Sequence, residues 1–135
     1  MEDFYGITLA ATMTYENQKH QPWNTKAQTW EYIENRYTTD WHGYHTQMLQ
    51  LVRQIKNLDL SKRIFGSTSM DKLVIGNCDP LDYRKEALHI TFDLDKRLWH
   101  FEYKEQPYQA PKFVRDYPEQ AGLEKFDNFI NMIRW

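Results

Sequence analysis

His89, His100 and Glu102 are the residues of this chain whose types and spacing come nearest to chemistry. Two imidazoles and a carboxylate on one sheet face could hold Zn²⁺ and leave a coordination position open. The same groups could form a general acid–base pair near neutral pH. The competing reading is an exposed strand face with ordinary His, Glu and Thr neighbours. Diagonal neighbours on such a face sit about 7–8 Å apart at Cα, long for one shared metal. No catalytic or metal-ligating residue is therefore assigned, and these three stand as a speculative polar-face site.

Other constellations carry less. His42 and His45 are spaced i, i+3 beside Asp40, but His-Glu-x-x-His is absent and His45 falls in an apolar stripe, as a partly buried histidine would. Gly66-Ser67-Thr68-Ser69 lacks the Gly-Lys-Ser/Thr ending of a phosphate-binding loop and reads as a turn. Cys78 is the single cysteine, so no intrachain disulfide forms, and no helix start or histidine is predicted beside it to activate the thiol. Asp79, Asp82, Asp93 and Asp95 lack the spacing of a calcium loop. No nucleotide or nucleophile-elbow motif occurs, and no cofactor is implied.

The elements that must position His89, His100 and Glu102 are two strands. Leu88, Ile90, Phe92 and Leu94 alternate with polar residues, as do Trp99, Phe101 and Tyr103. Strict period two marks half-buried strands. An even loop pairs Phe92 with Trp99, Ile90 with Phe101 and Leu88 with Tyr103. An odd loop would slip every pair and set apolar against polar. Asp95-Lys96 is a poor two-residue turn because Lys resists positive φ, so a four-residue loop closing on Asp93 and Leu98 is expected. His89 then faces Glu102, and Thr91 faces His100.

The apolar hairpin face needs a cover. Trp41, Tyr44, His45, Met48, Leu51, Val52, Ile55 and Leu58 form a helical stripe over Asp40 to Asn57 that supplies it. A preceding helix is expected from Lys26 to Tyr37, capped by Thr25 and Gln28, with Trp30, Ile33 and Tyr37 buried. Residues 4–17 read as helix, with an opening strand as the alternative. Ile64-Phe65 and Leu73-Val74-Ile75 read as strands joined by the turn Gly66 to Asp71. Pro107, Pro111 and Pro118 make 106–117 an extended crossing segment, and Leu123, Phe126, Ile130 and Ile133 mark a last helix.

The expected fold is α+β: N-terminal helices packed on a four-stranded antiparallel meander, with a C-terminal helix. One domain spans 1–135, mainly helical over 1–60, antiparallel strands over 61–105, extended over 106–117 and helical over 118–135.

Net charge is −2, and no run of Lys and Arg forms a basic stripe, so nucleic acid is not an expected partner. The acidic start Met1-Glu2-Asp3 is unlike a signal peptide, and no apolar run reaches the roughly 20 residues of a membrane span. A cytoplasmic protein with no membrane contact is expected. Nine Tyr and five Trp suit either amphipathic core rims or binding hot spots.

The run Ile64 to Ile75, followed by the hairpin Leu88 to Tyr103, resembles small bacterial proteins of helix–meander–helix layout, among them immunity proteins of toxin systems. The resemblance covers about half the chain and carries over no site residue. It favours a compact, non-enzymatic protein-binding module with a protein partner, a reading that rests on the absent catalytic motifs, the mildly acidic charge and the abundant Tyr and Trp; such a module should show an exposed aromatic patch rimmed by charge. The alternatives are a small metal-dependent or acid–base hydrolase on the polar hairpin face, and a structural or homo-oligomerising domain.

Overall fold

In the computed structural model, residues 24–40, 45–82, 85–105 and 109–135 are described. The expectations for 4–17, for His42, and for Trp41 and Tyr44 lie outside them. The described chain is α+β. Strands β1 (Asn24–Thr25) and β4 (Leu81–Asp82) form a two-stranded sheet. Strands β2 (Phe65–Ser69), β3 (Lys72–Gly76), β5 (Ala87–Asp93), β6 (Leu98–Lys104) and β7 (Phe113–Pro118) form a second sheet in that order. Every pairing within it is antiparallel.

The hairpin register is the one its alternation requires. Phe92 pairs with Trp99, Ile90 with Phe101, Leu88 with Tyr103 and Asp93 with Leu98, which leaves the expected four-residue loop. Arg97 takes the left-handed conformation there, at φ 56°. The Asp93 carboxylate accepts the N–H groups of Asp95 and Lys96 at 3.0 and 3.1 Å, closing the turn.

The meander gains a fifth strand from the segment expected to cross in extended form. Phe113 to Pro118 pairs with six of the seven residues of β6, from Tyr103↔Phe113 to Leu98↔Pro118. Pro118 is tolerated because it stands at the end of an outermost strand of this sheet, where a missing N–H is harmless. The Gly66–Ser69 run is also strand, and only Met70-Asp71 turns. Gly66 belongs in β2 for a packing reason: a β-carbon there would lie 2.8 Å from Cη2 of Trp30.

Among the described residues, three helices cover one face, which we call inner. Helix α1 (Trp30–Asn35) starts later than the Lys26 its sequence suggested. Its cap is Thr29, whose hydroxyl accepts the Tyr32 N–H at 3.0 Å. The proposed Thr25–Gln28 cap fails because tertiary partners claim both residues. Thr25 pairs with Leu81 in the small sheet, and the Gln28 side-chain oxygen accepts from the Thr68 N–H and hydroxyl. A π-helical turn, Arg36–Asp40, continues α1 and buries Tyr37, which donates to the carbonyl of Asp71 at 3.0 Å.

Helix α2 (Thr46–Asn57) buries Met48, Leu51, Val52 and Ile55, as its stripe requires, but Leu58 is half exposed just past its end. Helix α3 (Gly122–Ile133) follows a short 3₁₀ turn and buries Phe126, Phe129 and Ile130. The cover over the hairpin is thus shared between α2 and α3, and both enter one core with Leu88, Ile90, Phe92, Trp99, Phe101 and Tyr103. Aromatic rings meet edge to face through this core, at 5.2 Å for Phe92–Trp99 and 5.2 Å for Phe101–Tyr117.

Candidate functional site

The outer face of the large sheet carries His89, Thr91, His100 and Glu102, all half-buried. His89 stands opposite Glu102 and Thr91 opposite His100, as the register demands. The side chains, however, do not converge on one point. His100 and Glu102, two residues apart on β6, meet directly, with Nε2 to Oε2 at 2.8 Å. The other ring nitrogen, Nδ1, lies 2.6 Å from Oδ1 of Asp116, its partner across β7. Two carboxylates therefore bracket one imidazole. The Glu102 hydrogen bond, then Asp116, holds the His100 pKa above its usual value against some burial. In return His100 holds the Glu102 carboxyl below the usual range.

Asp116 was missed because 106–117 read as a crossing segment. The signal was present in Phe113, Arg115 and Tyr117 alternating with Val114 and Asp116, but the flanking prolines masked it.

His89 is left out of this bracket. Its Nδ1 is buried and makes no hydrogen bond. Burial pushes its pKa down to about 4, assisted by the charges of Lys72 and Lys104, while Glu102 pulls weakly the other way. A ring held neutral near pH 7 without a partner is neither the imidazolium nor the oriented base of an acid–base pair. Both His100 nitrogens are thus engaged by carboxylates, and His89 Nδ1 bonds to neither His100 nor Glu102. Among the described residues, no group of three or more His, Cys, Asp or Glu is placed to hold a metal ion.

A second feature lies on the β2–β3–β5 half of the same face. A recess of about 250 Å³ is lined by Ser69, Lys72, Val74, Lys85, Ala87, His89 and Lys104. The lysines had not been singled out, since they come from β3, from the segment before β5 and from β6, which only the tertiary fold gathers.

His45 sits at the N-terminal end of α2, half-buried, its ring 5.8 Å from that of Tyr37 in an edge contact. Burial lowers its pKa, in keeping with a packed rather than a ligating histidine. Cys78 is a free, half-buried thiol.

The exposed aromatic patch is not found among the described residues. Their large exposed apolar side chains are Tyr32, Leu58, Met70, Leu94, Val114 and Met132, spread over helices, turns and β7. Most of the described rings went inward instead, into the edge-to-face core. No described helix is long and apolar enough to cross a membrane. Comparison with protein-family models, curated proteins and solved structures finds no match to this chain.

Proposed function

We propose that the chain is a non-enzymatic protein-binding module, of the immunity or inhibitor kind, which meets its partner over the outer face of β5, β6 and β7. The observation that supports this reading is the one-sided layering of the sheet. The described helices take the apolar inner face into the core, and the outer face of β6 and β7 carries the polar and charged side chains His100, Glu102 and Asp116. On it Asp116 is more than half exposed, at 55%, and Val114 is 42% exposed. His100, the side chain best placed for acid–base work, has both nitrogens bonded to carboxylates. The surface therefore suits complementary charge pairing with a partner, which favours specificity and fast association.

The test is affinity capture from the source cells with the tagged chain, read beside variants. A stoichiometric protein should be retained by the wild type and by Lys62→Glu, and lost with Asp116→Lys or Val114→Asp. Retention unchanged by both outer-face substitutions, or no stoichiometric partner, refutes the reading.

A further inference from the structure

The lysine recess shares Ala87, His89 and Lys104 of β5 and β6 with the outer face but extends away from β7, over β2 and β3, and its chemistry is different. Four strands build it. Lys72 and Val74 project outward from β3, and the register sets Val74 beside His89 and Ala87 beside Lys104. The floor is apolar and dry, with Val74 2% and Ala87 6% exposed. Three lysine side chains line the recess. Lys104 approaches one carboxylate, Glu102, no closer than 3.9 Å. The ion pairs among the described residues include neither Lys72 nor Lys85. Lys56 and Lys112, by contrast, each reach a carboxylate, at 2.7 and 3.1 Å.

Like charges gathered over a low-dielectric floor repel one another and raise the local positive potential. An anion relieves that repulsion. Three ammonium groups, each a compact charge with several rotatable donors, match a group with more than one negative charge and three or more acceptor oxygens. A single carboxylate offers one charge and two oxygens. The volume falls below the 300–1,000 Å³ usual for whole ligands, so the recess suits one compact group.

We propose that this recess binds a phosphoryl-type oxyanion, held by Lys72, Lys85 and Lys104 over the Val74–Ala87 floor. The inference does not rest on the protein-binding reading. His89, in the wall, serves as a built-in reporter. An anion beside it offsets the lysine charges that depress its protonation.

The experiment is NMR of the full chain titrated at neutral pH in chloride buffer with inorganic phosphate, pyrophosphate, a nucleoside monophosphate or acetate. The His89 ring signals and the backbone amides of Lys72 and Lys85 should shift saturably with the first two, and His89 should titrate at higher pH when they are bound. Saturation by the nucleoside monophosphate as well extends the site to esterified phosphoryl groups; its failure restricts the site to the free anion. Lys72→Met and Lys85→Met should each weaken binding about tenfold, the worth of one charge-assisted contact. Lys62→Met should leave it unchanged. Both recess variants change lysines outside the hydrophobic core, and unchanged amide spectra elsewhere confirm their fold. Linear shifts without saturation, acetate binding as tightly as phosphate, or an undiminished response in the variant that combines Lys72→Met and Lys85→Met would overturn the proposal.

Discussion

Trp99 and Gly122 touch so closely that a β-carbon on Gly122 would lie 2.2 Å from the indole Nε1. Glycine opens α3 at this point because the helix must start against the indole face. The indole cannot withdraw: it is 1% exposed, and its Nε1 donates to the Glu119 carbonyl at 3.1 Å. The Glu119 side chain is tied in turn to Arg97 and Gln47, at 2.7–2.9 Å. One contact thus fixes β6, the β5–β6 loop, α2 and α3 relative to one another.

Gly122→Ala is therefore expected to destabilise, although alanine is the better helix former by about 1 kcal/mol. Overpacking a closed core costs about 1–3 kcal/mol, and the clash here is with a ring held on all sides, so the penalty wins. Urea unfolding should show a lower midpoint at unchanged slope. Adding Trp99→Phe, which removes the indole nitrogen ring, should make the pair cost less than the sum of the singles.

His89 and His100 are expected to bend the pH dependence of stability in opposite directions. The His89 pKa drops from 6.5 to about 4 on folding, so between those values the unfolded chain binds more protons. Its contribution is present above about pH 6.5 and lost as pH falls toward 4. The His100 pKa is raised on folding, so its contribution is full below about 6.5 and fades as pH rises through the folded value. Thermal melts should show His89→Gln flattening the acid limb between pH 6.5 and 4. His100→Gln should cost more at about pH 6 than at about pH 9. The His100 effect should stay near or below 1 kcal/mol and shrink with salt, because the bracket is partly exposed. Equal cost of His100→Gln at both pH values would contradict the bracketed imidazolium.

Glu86 anchors the C-terminus. Its two carboxylate oxygens accept from different rings, one from the Tyr103 hydroxyl and the other from Trp135 Nε1 at 2.7 Å. Both rings are 7% exposed, so either donor left alone would lose a hydrogen bond that water replaces poorly. Glu86→Ala should cost about 2 kcal/mol, and Glu86→Gln about half as much, since an amide keeps one acceptor. Hydrogen exchange should locate the loss: amides near the end of α3 should exchange faster in Glu86→Ala, while those of β3 stay protected. Uniform loss across the sheet would deny the anchoring role.

Legibility followed the range of the interaction. The hairpin could be read because period two and an even loop are local constraints, and any slip puts Phe92 or Trp99 against a polar partner. Met48, Leu51, Val52 and Ile55 were legible for the same reason at period 3.6. The start of α1 was not, because Gln28 is claimed by Thr68, forty positions on, and Thr25 by Leu81. The polar face was legible only halfway: alternation put His89, His100 and Glu102 on one side, but not which of them bond.

By itself, then, the sequence determined the α+β class, the hairpin register and the buried stripes, since each follows from side-chain periodicity within one or two adjacent elements. Tertiary structure decided that Pro118 ends a fifth strand, that Asp116 rather than His89 completes the His100 bracket, and that Lys72, Lys85 and Lys104 share a recess. Those outcomes depend on which strands lie side by side. Pairing across a sheet is settled by the summed burial of many distant residues, which no short window of sequence contains.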